Sequence, residues 1–350
     1  MLRNSSFKFL SIVVLMLLFS CENGAGDIQR GFYYWKAGDM SITEANSLKE
    51  LSGERLYLKL FEVTIDAEEG IIPVSKSYME IPDSLSKELE IIPTIFIENE
   101  VIARSTEMEL EELAENIIYL NEKYLDEKLI QEGGKKLNSH EIQIDCDWME
   151  SSKDKYFFFL RVLKKLTDKT ISCTLRLYPY KFADRMGIPP VDRVMLLCYN
   201  LLNPNGNSDK NSILDLNELK KYVETDKDYQ LPLDIALPVY SNCFKYVNGQ
   251  FDEAVHGIPG ALEAVCLPSD DGLWFTVEAD TVLNYSFYKK GQRVKIERVS
   301  SEDLLKACEI ISDNISLNEG ATITLYHLDE QELKQYDHET LDSVFLLFSN

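Results

Sequence analysis

Hydrophobic and polar positions alternate along residues 141–148, whose sequence is EIQIDCDW. Because successive strand residues face opposite sides of a sheet, this alternation predicts a strand with one apolar and one polar face. The apolar face consists of Ile142, Ile144 and Cys146. The polar face consists of Glu141, Gln143, Asp145 and Asp147. Since unpaired charge is costly to bury, the polar face is expected to line either a charge-balanced interior or a functional site.

Strand-like and helix-like patterns alternate along most of the chain. Strands are predicted at residues 32–36, 56–63, 91–97, 141–148, 171–177, 194–200, 233–240 and 321–327. Helices are predicted at 41–51, 106–131, 152–166, 213–223, 302–311 and from 329 onward, and the capping box Ser41-Ile-Thr-Glu44 opens the first. Eight strands separated by helices predict an α/β fold, a closed (β/α)8 TIM-type barrel. An open doubly wound sheet fits less well, because no glycine-rich phosphate loop follows the first strand.

The alternation breaks at about residues 242–320. Short strand patterns at 273–277, 285–288 and 294–299 predict a hairpin or small sheet in this region. A small β insertion between strands seven and eight would lie over the C-terminal mouth of the barrel, where such barrels keep their active sites. The predicted barrel domain therefore spans residues 30–350, including this insertion.

The first 20 residues resemble a bacterial lipoprotein signal peptide. Arg3 and Lys8 precede or border an apolar stretch at 10–19 that is too short to span a membrane. Cys21 follows at the position where the cysteine of such a signal is lipidated, for example with palmitate, and becomes the new N-terminus. Residues 21–29 would form a tether, and the protein is expected in the bacterial cell envelope, on a periplasmic or outer-membrane surface. An ordinary cleaved signal with a chance cysteine is the alternative.

The composition narrows the possible partners. The chain has 350 residues, of which 45% are hydrophobic, so it can bury a large core. Its formal net charge of -23 disfavours nucleic acid, whose phosphates a strongly acidic surface repels. We therefore expect a glycan or another neutral small molecule as ligand, membrane contact only through a lipid anchor on Cys21, and no nucleic acid.

The cysteine and histidine content predicts neither a metal site nor a cofactor. The chain has four histidines and no CxxC pair, so zinc-ribbon and thioredoxin-type sites are not supported. Six cysteines remain besides Cys21: Cys146, Cys173, Cys198, Cys243, Cys266 and Cys308. The envelope permits disulfides, but the first three lie on the helix-facing side of predicted strands, which favours buried free thiols.

Two carboxylates at the end of strand four form the first candidate site. Asp145 and Asp147 share a face, and the basic partners expected near them are Arg176 on strand five and Lys59 on strand two. The position at the C-terminal end of the strand favours a catalytic or sugar-binding cluster. The alternative is a structural, charge-balanced barrel interior.

Other residues have a functional and a structural interpretation. Trp148, Tyr199 and Tyr240 are candidates for stacking on sugar rings, or else pack in the core. Asp234 begins strand seven and is expected low in the barrel as a structural partner of Lys59 or Arg176. Asp192 and Arg193 are expected to form a structural ion pair. Glu62 is expected to face away from Lys59.

Three strand ends together resemble the chitinase-type glycoside hydrolases, which have a (β/α)8 barrel. In that family strand four carries D-x-x-D-x-D-x-E, strand six ends M-x-Y-D, and strand seven carries G-x-P-x-Y-G. Residues 145–148 (DCDW) match the middle of the first motif, 197–200 (LCYN) match the second loosely, and 236–241 (ALPVYS) match the third without its glycines. The resemblance implies a sugar-binding cleft and adds Asn200, beside Tyr199, to the candidate ligand-binding residues.

The departures from the family motif place catalysis in question. The family's proton donor falls at Met149 and its first aspartate at Ile142, and a thioether cannot protonate a leaving glycosidic oxygen. Glu150 is the nearest replacement acid, although strand alternation would aim it away from Asp145 and Asp147. Three stretches, 143–148 (QIDCDW), 189–193 (PPVDR) and 233–238 (LDIALP), also resemble a group of envelope lipoproteins, mainly from Bacteroides-type bacteria, that share this barrel. This second resemblance covers the whole chain and implies no particular activity.

Three functions fit these observations. The first is a glycoside hydrolase-like enzyme, with Asp145, Asp147 and Glu150 as catalytic candidates. The second is a non-catalytic glycan-binding protein on a degenerate hydrolase barrel. The third is a structural lipoprotein that uses only the scaffold, since fold does not fix function.

Overall fold

In the computed structural model of the chain, the residues described are 28–76, 79–81, 85, 89–127, 129–131, 139–204, 209–225, 227–255 and 259–349. The predicted signal peptide, Cys21 and most of the predicted tether lie outside these ranges. Within them, no helix combines the length and the apolar character needed to cross a bilayer.

Eight parallel strands close into a barrel, which confirms the predicted fold. In chain order they are β1 (Gln29–Tyr34), β2 (Arg55–Asp66), β5 (Glu90–Ile97), β7 (Glu141–Asp145), β8 (Thr170–Arg176), β9 (Arg193–Leu197), β10 (Leu233–Pro238) and β18 (Thr322–Tyr326). Each pairs with the next, and β1 pairs with both β18 and β2, so the sheet has no gap. One further strand, β3 (Gly70–Val74), adds to β2 in antiparallel fashion outside the barrel.

Helices alternate with the strands along the chain, and α8 belongs to the β insertion described below. They are α1 (Ile42–Glu50), α2 (Asn99–Arg104), α3 (Glu107–Glu127), α4 (Lys153–Leu166), α5 (Leu177–Lys181), α6 (Ala183–Met186), α7 (Leu216–Val223), α8 (Pro259–Glu263), α9 (Ser301–Asn314), α10 (Glu330–Leu333) and α11 (His338–Leu346). The predicted capping box at the start of α1 is present, with Ser41 and Glu44 satisfying each other's backbone N–H groups. In α4 the buried residues recur at helical spacing: Tyr156, Phe159, Leu160 and Leu163.

The predicted β insertion follows β10. Five antiparallel strands form its main sheet: β11 (Asn242–Val247), β12 (Gln250–Val255), β13 (Cys266–Pro268), β14 (Trp274–Val277) and β17 (Arg293–Glu297). A separate hairpin in the insertion consists of β15 (Thr281–Leu283) and β16 (Ser286–Tyr288). Outside the insertion, β4 (Met79–Ile81) and β6 (Leu129–Gln131) form a two-stranded sheet. The insertion has its own small core around Val277, Tyr288 and Val294.

A buried network of charges closes the bottom of the barrel. Arg55 Nη2 lies 3.0 Å from Glu141 Oε2 and 2.9 Å from Glu90 Oε2. Asp234 is ion-paired with Arg193 and accepts a 2.6 Å hydrogen bond from the backbone N–H of Thr322. Burial raises the pKa of both Glu141 and Asp234, and the neighbouring guanidinium groups oppose that rise. The polar face of β7 therefore begins in a structural network.

Two ion pairs expected from the sequence are wrong, because the acidic residues have other partners in the structure. Asp234 pairs with Arg193 and not with Lys59 or Arg176, because both members of the pair lie at the N-terminal ends of neighbouring strands. Asp192 instead pairs with Lys164 at 2.5 Å and accepts the backbone N–H of Ile171. Adjacent residues along a strand point to opposite sides, which separates Asp192 from Arg193.

The six cysteines that fall in the described ranges are all buried and unpaired, as the helix-facing positions of the first three indicated. Burial raises the pKa of the Cys173 thiol to about 12. These side chains therefore act as small apolar residues, since a thiol with a raised pKa is a poor nucleophile.

Candidate functional site

An open cleft of about 730 Å³ lies at the C-terminal mouth of the barrel. All eight barrel strands, or the residues directly after them, contribute to its lining. These contributors are Trp35, Lys36, Glu62, Phe96, Asp145, Asp147, Arg176, Leu197, Tyr199, Asn200, Tyr240 and Tyr326. The rest of the lining consists of Ser241, Asn242, Asn284, His327, Asp329, Gln331 and Glu332. The volume is within the range of roughly 300–1,000 Å³ typical of small-molecule sites.

Asp145 lies on the floor of the cleft as the last residue of β7. Its Oδ1 accepts a 2.6 Å hydrogen bond from the Thr174 hydroxyl on β8. Burial raises the pKa of Asp145 to about 6, and the negative charge of Asp147 adds to the rise, while Thr174 and Arg176 oppose it. A carboxyl group with such a pKa can hold or release a proton near neutral pH.

Asp147 and Arg176 form a two-pronged ion pair in the cleft. Arg176 Nε lies 2.5 Å from Asp147 Oδ1, and Nη2 lies 2.6 Å from Oδ2. The side chains keep 47% and 44% of their surface exposed, so a ligand can reach both. Because the opposite charges of Asp147 and Arg176 offset each other, the pair presents oriented hydrogen-bond donors and acceptors to a polar ligand with little net charge.

Aromatic rings form one wall. The Tyr326 ring stacks on Tyr199 with centroids 5.1 Å apart, and it meets Tyr240 edge to face at 5.4 Å. Trp35 approaches the same ring at 6.0 Å. The Tyr240 hydroxyl donates a 2.6 Å hydrogen bond to Asn200 Oδ1. Such a wall combines apolar ring faces with polar hydroxyl edges, which suits the two kinds of surface on a sugar.

Lys59 is not among the residues that line the cleft, and its ion pair is with Glu62, not with Asp145 or Asp147. Both of its contact partners, Glu62 and Trp35, do line the cleft. Its Nζ lies 2.5 Å from Glu62 Oε1 and 5.7 Å from the centroid of the Trp35 ring. The expectation that Glu62 faces away from Lys59 is wrong, because the register of β2 against β5 shifts between Lys59 and Phe61. This bulge absorbs one residue, so Glu62 returns to the inner face and Phe61 turns outward against Tyr124 of α3.

The structure does not bring Trp148 or Glu150 to the cleft. The strand ends at Asp145, and a turn follows in which the Trp148 N–H donates to the Cys146 carbonyl. Trp148 is 6% exposed and packs on Tyr156 of α4 at 5.9 Å, which is the core-packing alternative for this residue. Glu150 lies on the surface 2.5 Å from Arg185 Nη2, an ion pair that lowers its pKa.

Met149, at the position of the family's proton donor, is also on the surface. It is 56% exposed, and its backbone N–H donates a 3.0 Å hydrogen bond to the Ser152 hydroxyl just before α4. The chain direction after Asp145 thus carries residues 148–150 away from the cleft. A carboxylate at either 149 or 150 would need a different loop path to act on a ligand there.

Sequence reasoning missed several lining residues. Lys36 is paired with the buried Glu44 and, at 2.9 Å, with Asp329. Glu332 accepts a 2.8 Å hydrogen bond from the Ser241 hydroxyl, and burial raises its pKa. Burial also lowers the pKa of His327, which favours the neutral ring.

Trp35 lies just after β1 and Tyr326 lies at the end of β18. These positions could have predicted both residues as part of the lining. The rule that identified Asp145 applies equally to them, because every barrel strand ends at the same mouth. In the part of the chain that the structure describes, no group of three or more His, Cys, Asp or Glu side chains converges to hold a metal ion.

Two solved structures with a similar architecture are a chitinase and a spore cortex-lytic enzyme. The chitinase of Chromobacterium violaceum is 11% identical, with a TM-score of 0.53 over 93% of this chain and 100% of that chain. The spore cortex-lytic enzyme of Bacillus cereus is 15% identical, with a TM-score of 0.50 over 92% of this chain and 74% of that chain. No protein-family description and no curated protein sequence matches the chain. At such identities the likeness establishes the (β/α)8 barrel fold and not the activity.

Proposed function

We propose that this protein binds a neutral or amino-sugar glycan in the cleft at the C-terminal mouth of its barrel. The observation that carries the proposal is the combination, in one open cleft of about 730 Å³, of a tyrosine and tryptophan wall with partly buried carboxylates and a paired arginine. Ring faces pack on the apolar side of a sugar, and Asp145, Asp147 and Arg176 exchange hydrogen bonds with its hydroxyl or amide groups.

The charge of the cleft supports this class of ligand. Its basic side chains are held by acidic partners: Arg176 by Asp147, and Lys36 by Glu44 and Asp329. Asp145 and Glu332 have hydroxyl groups as hydrogen-bond donors. An anionic ligand would therefore meet partly buried carboxylates at unfavourable cost, whereas a neutral or protonated amino sugar would not.

A glycosidic cleavage reaction is the second candidate function, and the raised pKa of Asp145 favours it. A group with a pKa of about 6 is a suitable general acid for protonating a leaving glycosidic oxygen. This route differs from that of the chitinase-type family, because position 149 carries a methionine that lies on the surface. Asp147 would then orient the sugar, and Arg176 would hold Asp147 in position.

Calorimetric titration separates binding from its absence. Chito-, xylo- and manno-oligosaccharides of two to six units are titrated into the wild-type chain and into Tyr240→Ala and Asp147→Asn. Glu150→Gln serves as a matched acidic control, since this residue is exposed and lies outside the cleft lining. We expect at least one series to bind, with affinity lowered by the two cleft substitutions and unchanged by the control. Baseline heats for every series would refute the proposal.

The same panel distinguishes the two candidate functions. Release of reducing ends is measured for the wild type, Asp145→Asn and Glu150→Gln. Turnover that is lost in Asp145→Asn and retained in Glu150→Gln would establish the hydrolase. Binding without release of reducing ends would establish the non-catalytic function on this barrel.

We further propose that Cys21 is lipidated and anchors the barrel to an envelope membrane, a proposal supported by the lipoprotein-type pattern of the first 21 residues. The test is metabolic labelling with an alkyne-bearing palmitate analogue, followed by membrane fractionation. The wild type should be labelled and sediment with membranes. Equal labelling of Cys21→Ala would contradict the assignment.

A further inference from the structure

The β15–β16 hairpin of the insertion reaches the rim of the cleft. Its two-residue turn consists of Asn284 and Tyr285, both with positive φ angles of 45° and 64°. Asn284 contributes to the lining of the cleft. The residue that follows it, Tyr285, is fully exposed. The exposed tip is therefore continuous with the proposed glycan site.

One face of the hairpin fixes it to the insertion. Tyr288 is completely buried in the small core, and Leu283 packs against the same core. The Ser286 hydroxyl is hydrogen-bonded to Glu253 and lies 3.3 Å from Lys245 Nζ, both on the neighbouring sheet. These contacts hold one face of the hairpin against the neighbouring sheet. The orientation of the opposite face relative to that sheet is therefore fixed.

The opposite face is apolar and open to solvent. Val282 and Phe287 stand directly across from each other in the strand pairing and are 64% and 53% exposed. Together with Tyr285 they place three large hydrophobic side chains on a hairpin of eight residues, 281–288. Contiguous exposed apolar side chains often mark a binding surface, whereas single scattered ones need no such explanation.

We infer that this outer face, comprising Val282, Tyr285 and Phe287, is a distal subsite for the same glycan. The inference rests on the proposed function of the cleft. Asn284 lines the cleft and is followed directly by Tyr285, so a glycan chain that leaves the cleft at Asn284 can extend over the exposed rings of Tyr285 and Phe287. Aromatic rings with few rotatable bonds are suited to stacking on successive sugar units. The preferred ligand is therefore a glycan chain longer than a disaccharide.

Chain-length dependence of binding tests the inference. The wild-type chain, Tyr285→Ala and Phe287→Ser are titrated calorimetrically with chito-, xylo- and manno-oligosaccharides of two to six units. Leu267→Ala is the matched control, because Leu267 is 56% exposed but lies on β13, the edge strand farthest from β12 in the sheet order. Circular dichroism and light scattering confirm that each variant is folded and report its oligomeric state.

We expect wild-type affinity to rise from the disaccharide to the hexasaccharide. Tyr285→Ala should lower hexasaccharide affinity about tenfold, as for loss of one aromatic contact, and leave disaccharide affinity unchanged, because a disaccharide in the cleft is too short to reach this subsite. Leu267→Ala should behave as wild type at both lengths.

Two results would overturn the inference while leaving the proposed function standing. One is wild-type binding that does not depend on chain length. The other is length-dependent binding that Tyr285→Ala and Phe287→Ser leave unchanged, including the case in which these variants alter only self-association. Absence of wild-type binding to every oligosaccharide would instead refute the proposed function, and with it this subsite.

Discussion

Replacing Asp145 by asparagine should stabilise the protein at neutral pH and weaken its ligand binding. The substitution keeps the shape of the side chain and an oxygen that can accept the Thr174 hydroxyl, but it removes a charge from a largely buried position. Burial is the main cause of the raised pKa of Asp145, so the ionised carboxylate is less favourable in the folded protein than in the unfolded chain.

The size of the effect follows from the two pKa values. Asp145 has a pKa of about 6 in the folded protein, against an ordinary value of 3.8. Because the folded state binds the proton more tightly, stability falls as pH rises through this interval and the full cost is present above the folded pKa. At roughly 1.36 kcal/mol for each tenfold change, the cost is about 3 kcal/mol at pH 8 and about 1 kcal/mol at pH 4.5. Asparagine avoids this cost at both pH values.

Urea denaturation of the wild type and Asp145→Asn at pH 4.5 and pH 8 measures the difference. We expect the variant to be more stable by about 3 kcal/mol at pH 8 and by about 1 kcal/mol at pH 4.5. Glu150→Gln is the control, because this carboxylate is exposed in its pair with Arg185 and its removal should change stability by less than about 1 kcal/mol. Thr174→Val should steepen the pH dependence, since it removes the hydrogen bond that favours the ionised form.

Two outcomes would refute the reasoning about Asp145. A variant that is no more stable than wild type at pH 8 would mean that the carboxylate is well solvated or well paired. A gain of equal size at both pH values would mean that packing, and not ionisation, is responsible. Increased stability together with weaker glycan binding would identify Asp145 as a residue kept for function at the expense of stability.

Three further substitutions test the structural assignments. Asp234→Ala should lower the free energy of unfolding in urea by about 3–5 kcal/mol, because it leaves Arg193 without its partner on the barrel floor; a loss under 1 kcal/mol would contradict this network. Trp148→Ala should cost about 3–5 kcal/mol in the same assay yet leave oligosaccharide affinity unchanged, and a parallel loss of affinity would return Trp148 to the site. Glu150→Gln should change stability by less than about 1 kcal/mol and leave any reducing-end release intact, since the residue forms an exposed pair with Arg185; lost turnover would make Glu150 the acid.

Local periodicity was sufficient to predict the barrel and part of its cleft. The alternation of apolar and polar residues is a property of each strand alone, so it identified the inward face of β7 without knowledge of neighbouring strands. Because every strand of a parallel barrel ends at the same mouth, position along the strand also placed Asp145, Arg176, Tyr199 and Tyr240 at the cleft.

Interactions between strands escaped sequence reasoning. The bulge in β2 exists only in its pairing with β5, and it reversed the predicted direction of Glu62. The partner of Asp234 depended on which strands became neighbours on closure. The contacts of the Tyr326 ring with Trp35 and Tyr199 likewise require β1, β9 and β18 to converge, although they are far apart in the chain.

The sequence by itself determined which residues face inward in strands without a bulge and at which end of the barrel they lie, because strand pleating is local and strand direction follows from strand order. Only the tertiary structure decided which inward groups meet and where each strand stops. The turn directly after Asp145 carries Trp148, Met149 and Glu150 away from the cleft, and no local pattern in residues 141–150 marks that turn. Pairing register and loop path are set by packing across the whole barrel. The full set of cleft residues could therefore be identified only in the folded chain.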